Sequence, residues 1–173
     1  MANIENGKII SIFVSMDDSN VAQFIKDLRT QCKRVDISLQ LRPSKRVMAN
    51  PGIKCSGFFC SEQKLLVVAK NHPQWLSTLT HEASHLDQFI EDSELWRKDE
   101  EFGNREFEEW INGKEIENIG RAITNLLNLE IDCERRAVKK IIEYDLPINT
   151  QTYIQRANEI FFYYRHVQKS RKW

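Results

Sequence analysis

A chain of 173 residues with 41% hydrophobic and 29% charged side chains is long enough to bury the core of a single soluble domain. Its 25 basic and 25 acidic residues cancel, which excludes a global pull toward nucleic acid or an anionic membrane, and no apolar run approaches the length of a membrane-spanning helix. Ile9 to Val14 is too short, and too broken by a serine, to resemble a signal peptide, and four cysteines are too sparse for a disulfide scaffold; a cytoplasmic chain with free thiols is expected.

Ile9 to Val14 has the pattern of a short strand. Asp17 or Asp18 with Ser19 then introduces a helix carrying Val21, Phe24, Ile25 and Leu28. Val35 to Leu41 alternates apolar and polar, as a half-buried strand does, and Arg42 to Pro51 has the composition of a loop. Gly57 to Cys60 and Lys64 to Ala69 pair as a hairpin around Ser61-Glu62-Gln63. Cys55 and Cys60 lack nearby metal-ligand partners and are expected to be ordinary thiols.

His81-Glu82-Ala83-Ser84-His85 follows on an amphipathic helix predicted over residues 73 to 91, with Pro73 suited to its first turn and Leu76, Leu79, Ala83, Leu86 and Ile90 at helical spacing. Side chains one turn apart share a helix face, so both imidazoles can reach one ion while Glu82 stands to the side, placed to hold a water. At about 100° per residue the histidines point almost opposite to the apolar stripe. The helix can bury one face and offer the other.

Residues 91 to 109 hold nine acidic and three basic side chains, and the chain ends on Arg165, Lys169, Arg171 and Lys172 with no acid among them. Solvated faces are the expectation for both, with the acidic segment a candidate lid or insertion. From Lys114 to about Asp145 one long helix is predicted, with Ile116, Ile119, Ile123, Leu126, Cys133, Ala137 and Ile141 as its apolar stripe. Glu130 and Glu134 fall inside that stripe, whereas Asp132, Arg135, Arg136 and Lys139 point away. Buried carboxylates need a partner, and two histidines need a third ligand to complete a catalytic zinc site. One glutamate can ligate while the other orients a histidine; the spacing leaves both open.

At these residues the chain resembles the gluzincin metallopeptidases, and most closely the small minigluzincins of phage and bacteria, through His81-Glu82-Ala83-Ser84-His85 and a later Glu134-Arg135-Arg136-Ala137 followed by Leu146-Pro147. The resemblance covers roughly residues 57 to 147 and implies a zincin-like domain spanning 1–173. Its fold would be α+β, with a small mixed sheet in 1–70 and helices in 71–173. It also implies one zinc ion per chain held by His81, His85 and Glu134, with Glu82 as general base. A thermolysin-like arrangement would instead use Glu130, with Glu134 behind it. Two features depart from the pattern: Asp87 stands where an apolar residue is usual, and 48 residues separate His85 from Glu134.

The implied activity is peptide hydrolysis inside the cell, with a protein or peptide substrate and neither membrane nor nucleic acid as partner. Tyr163, Tyr164 and His166, on an aromatic C-terminal helix that is otherwise core-like, are candidates to stabilise the oxyanion, and the strand Lys64 to Ala69 could pair with an extended substrate if it lies at a sheet edge. The competing expectations are a non-catalytic interaction module, with or without zinc, and a zinc hydrolase of a non-peptide amide.

Overall fold

In the computed structural model, which describes residues 4–5, 8–9, 16–50 and 53–171, the chain is a mixed α+β structure. Its elements in order are β1 (Ile4–Glu5), β2 (Lys8–Ile9), α1 (Met16–Arg34), β3 (Ser38–Arg42), β4 (Val47–Asn50), β5 (Ile53–Cys55), β6 (Gly57–Cys60) and β7 (Leu65–Ala69). They continue as α2 (Trp75–Ile90), α3 (Glu94–Phe102), α4 (Asn104–Ile111), α5 (Ile119–Glu143) and α6 (Thr150–Ser170). Of the strand expected over Ile9 to Val14, residues 10–14 lie outside the described residues.

Leu65-Leu66-Val67-Val68-Ala69 is an unbroken apolar run, and such a strand has two faces to hide. It accordingly takes the middle of a three-stranded sheet of order β3-β7-β6, parallel to β3 from Ser38↔Leu65 to Arg42↔Ala69 and antiparallel to β6 from Gly57↔Val68 to Cys60↔Leu65. The expected hairpin around Ser61-Glu62-Gln63 is present. The expectation that Lys64 to Ala69 could lie at an edge is corrected: both sides of β7 are occupied, and β6 and β3 are the outer strands. The Arg42 to Pro51 stretch is not simply a loop either. It contains β4, which pairs with β5 through Val47↔Cys55 and Met48↔Lys54. Val47-Met48-Ala49 is too short for alternation to show, and only pairing with β5 makes it a strand.

The main core packs α1 against the sheet and α2. Phe24 and Leu28 of α1 meet Leu66 and Val68 of β7 and Leu76, Leu79, Ala83 and Leu86 of α2, joined by Ile141 and Leu146. Close approach of α2 to the sheet depends on Gly57, where an added Cβ would lie 2.7 Å from Thr78 Cγ2 and 2.9 Å from the Val67 carbonyl oxygen. The Thr80 and Ser84 hydroxyls, fully buried in α2, donate to the carbonyls of Leu76 and Thr80 at 2.8 and 2.9 Å, so neither is left unsatisfied. Asp87, on the helix of the histidines, bridges helices: it accepts from Gln31 Nε2 of α1 at 2.6 Å and pairs with Lys140 of α5.

The acidic segment folds as α3 and α4, layered on α5. Ser93 caps α3 by accepting from the Trp96 amide at 3.2 Å, and Trp96 packs against Phe59 and Phe89 with centroids 5.8 Å away in each case. Phe107 and Trp110 of α4 form a second core with Ile123, Leu126 and Val167. The basic tail is not wholly solvated: Arg171 donates to the Trp110 and Lys114 carbonyls at 2.7 Å each and pairs with Glu115 at 2.7 Å. Among the described residues no helix is long and apolar enough to cross a membrane.

Candidate metal centre

α2 carries His81 and His85 one turn apart, and α5 lies across them with Glu130, Cys133 and Glu134. The two Nε2 atoms are 3.2 Å apart. Glu130 faces this pair, Oε2 at 3.6 Å from His81 Nε2 and Oε1 at 3.5 Å from His85 Nε2. Glu134 instead reaches the opposite edge of the first ring, with Oε1 3.1 Å from His81 Nδ1. The glutamate expected from the resemblance to be the third ligand therefore stands behind a histidine, and Glu130 stands where both Nε2 atoms converge.

Hydrogen-bond partners fix the tautomers. Gln88 is fully buried, and its Nε2 donates to the Leu129 carbonyl at 3.0 Å and to Asp132 Oδ2 at 2.8 Å, both acceptors. Its Oε1 must then be the atom 2.9 Å from His85 Nδ1, so that nitrogen donates. His81 Nδ1 likewise donates to the Glu134 carboxylate. With both Nδ1 atoms protonated, each neutral ring turns a lone pair from Nε2 toward the other ring and toward Glu130. Two nitrogens and a carboxylate thus converge as acceptors. Such an arrangement requires a cation, either added protons or a metal ion.

The titration behaviour expresses that requirement. Burial alone would lower the pKa of His85, but the Glu130 carboxylate overrides it and raises the ring from 6.5 to about 9. Burial opposes ionisation of Glu130 as well, and the facing His85 nevertheless holds its carboxyl down, from 4.5 to about 2. His81 is also raised, against burial, by Cys133 and Glu134. Glu82 behaves differently: burial dominates and pushes its pKa up, while His81 and His85 pull it down and the Phe59 backbone N–H, on β6, hydrogen-bonds it.

His81, His85 and Cys133 each bring one ligand atom within 4.8 Å of the others, a set that could hold a metal ion. Cys133 Sγ, however, lies 3.6 Å from His81 Nδ1 and 3.3 Å from the His81 carbonyl, at the ring edge opposite the Nε2 that faces Glu130. The donor set that faces both Nε2 atoms is completed by Glu130. Glu134 Oε2 is buried with no hydrogen bond among the described residues, and the Tyr153 phenol is the neighbouring group able to donate to this carboxylate.

A cleft of about 740 Å³ opens beside His81, Glu82 and Glu134 and is walled by Trp75, Tyr153 and Arg156. Tyr164 and His166 do not line it: the Tyr164 ring packs on Phe107 with centroids 5.6 Å apart, and His166 is exposed. The Tyr163 side chain lies outside the described residues. Sequence reasoning followed the densest aromatic cluster of α6 and missed Tyr153, whose signal was its place one turn inside a helix capped by Asn149, whose Oδ1 accepts from the Thr152 amide at 2.8 Å. Gln88 was missed too, although its position one turn after His85 put it on the same face. Asp132 and Arg136, expected to point away from the apolar stripe, are half-buried partners of this network, with Arg136 Nε 2.6 Å from Asp132 Oδ2.

These features define an α+β chain with a histidine-centred cluster capable of holding a metal ion, whose His81 lines a cleft together with Glu82 and Glu134. No family model, curated protein or solved structure matches the chain.

Proposed function

We propose that the chain is a zinc-dependent metallopeptidase of zincin-like fold, with one zinc ion held by His81, His85 and Glu130 and with Glu82 as the general base. The observation that carries this reading is the convergence of two imidazole lone pairs and a carboxylate with Glu82 one residue from the first ring. Histidine nitrogens with a carboxylate oxygen are a donor set suited to zinc in catalytic sites. When bound, the ion supplies Lewis acidity, which polarises a carbonyl and brings the pKa of water from about 15.7 to about 7.

The chain's own groups supply the remaining chemistry. Glu82, anchored by the Phe59 amide and raised by burial, is suited to take the proton of the attacking water and deliver it to the leaving amine. Tyr153 lines the same cleft, and burial together with the Glu134 carboxylate pushes its phenol up, so at neutral pH it keeps the proton needed to donate to an oxyanion. β6 is an outer strand of its sheet among the described residues and carries the Phe59 N–H that holds Glu82, a position suited to pairing with an extended peptide.

Purified protein loaded with zinc is expected to carry one ion per chain and to generate new N-termini in a mixture of denatured proteins. Removal by a chelator should abolish cleavage, and zinc should restore it. Stoichiometric zinc without any cleavage would reject the peptidase reading and favour an interaction module or hydrolysis of another amide.

Gln88→Leu is expected to weaken zinc binding about 10- to 100-fold, because His85 loses the acceptor that fixes its tautomer. Competition with a chromophoric chelator measures this. Unchanged affinity would show that Gln88 serves packing alone.

A further inference from the structure

Charge in the cleft is unevenly distributed. Glu82 and Glu134 lie at its floor beside His81, Asp18 lies on its wall, and Arg156 is the one Lys or Arg among its described lining residues. Arg156 projects from α6 one turn beyond Tyr153, so the two share a helix face and the guanidinium stands along the cleft from the reacting centre.

Its partner is a neutral amide. With the Gln74 amide oriented so that its oxygen faces α6, that oxygen accepts from both terminal nitrogens of Arg156, Nη2 at 3.1 Å. Gln74 precedes α2, so this contact bridges the cleft between the helix of the histidines and the helix of Tyr153. An amide oxygen positions a guanidinium but does not neutralise it, and among the described residues no carboxylate forms an ion pair with Arg156. The cleft that it lines is of mixed character, with the apolar Val21, Trp75, Ile148 and Ala157 beside Ser77, Thr78, Asn149 and Thr152. A cation held by a neutral partner in a cleft with both apolar and polar lining suits a ligand with a short stem ending in a carboxylate, which can take two parallel hydrogen bonds from the planar fork.

We propose that Arg156 selects substrates by a carboxylate close to the scissile bond, supplied by an aspartate or glutamate side chain or by the C-terminus of a peptide. This inference rests on the peptidase reading for the word substrate, and on the cleft alone for recognition of the carboxylate.

The test separates the two. Zinc-loaded Glu82→Gln protein is immobilised and exposed to random N-acetylated decapeptides, one pool with free and one with amidated C-termini, and the retained peptides are sequenced by mass spectrometry. Enrichment of Asp and Glu in the amidated pool by about five- to tenfold identifies the side-chain source, and enrichment confined to free C-termini identifies the terminal one. Adding Arg156→Gln should erase the preference, Arg156→Lys should keep a weaker one, and Arg156→Glu should turn it toward Lys and Arg. The preference should shrink in about 1 M salt, where screening acts within about 3 Å. No carboxylate enrichment, or the same enrichment without Arg156, overturns the proposal. If retention follows Arg156 while the unsubstituted zinc-loaded protein cleaves none of the peptides, carboxylate recognition stands and the peptidase reading fails.

Discussion

Glu82→Gln is expected to lower peptide turnover about 10²- to 10⁴-fold while one zinc per chain is retained. The amide is nearly isosteric and still offers an oxygen to the Phe59 N–H, so the local geometry of β6 and α2 is preserved. What it lacks is basicity. The substitution should also leave the fold intact or strengthen it. Burial raises the pKa of Glu82 above 4.5, so the contribution of its protonated form to stability is fully present below pH 4.5 and lost as pH rises through the raised value. A neutral amide removes that loss. At pH 7 the variant should therefore melt at the same temperature as the parent or above it, the pattern of an active-site group retained for reactivity at some expense of stability. Cleavage at the parental rate would reject Glu82 as the base, and loss of zinc would make it a ligand instead.

The parts of this arrangement legible in the sequence were those set by local periodicity. His81 and His85 share a face because the helix repeat puts them there, and Glu130 and Glu134 fall within the apolar stripe of α5 for the same reason. Which glutamate meets the Nε2 atoms depends on how α5 crosses α2, and that is set by packing at Ile141 and by the Lys140–Asp87 pair, neither of which spacing along one helix can report. β7 declared itself as one strand of a hairpin with β6, but its other neighbour did not follow from that. The expected edge position failed because β3, distant in sequence, closes its other side. Tyr153 was hidden for a similar reason, since only the docking of α6 brings its first turns, rather than its aromatic middle, to the histidines.

The two glutamates should separate sharply under substitution. Glu130→Gln is expected to abolish stoichiometric zinc binding, whereas Glu134→Gln should weaken it about 10- to 100-fold by freeing the His81 ring; the reverse order in a chelator competition would make Glu134 the third ligand. The metal-free protein offers an independent reading. Glu130 is held down from 4.5 to about 2, so its contribution to stability is present above pH 4.5 and is lost as pH falls through 2. His85 is raised from 6.5 to about 9, so its contribution is full below pH 6.5 and is lost as pH rises through 9. Protons on the imidazoles then serve as the missing cation, and the pair contributes most between pH 4.5 and 6.5. With side chains only 12% and 17% exposed, breaking it should cost about 3–5 kcal/mol in that window and progressively less as pH approaches 9. Zinc reverses the trend. It competes with those protons, so its apparent affinity should climb from pH 6.5 to 9 with protons released on binding. Urea denaturation of the metal-free protein across this range, beside proton release measured on zinc addition, checks both slopes. A Glu130→Gln protein whose metal-free stability follows pH as the parent's does would show that Glu130 is not the group holding the histidines' charge.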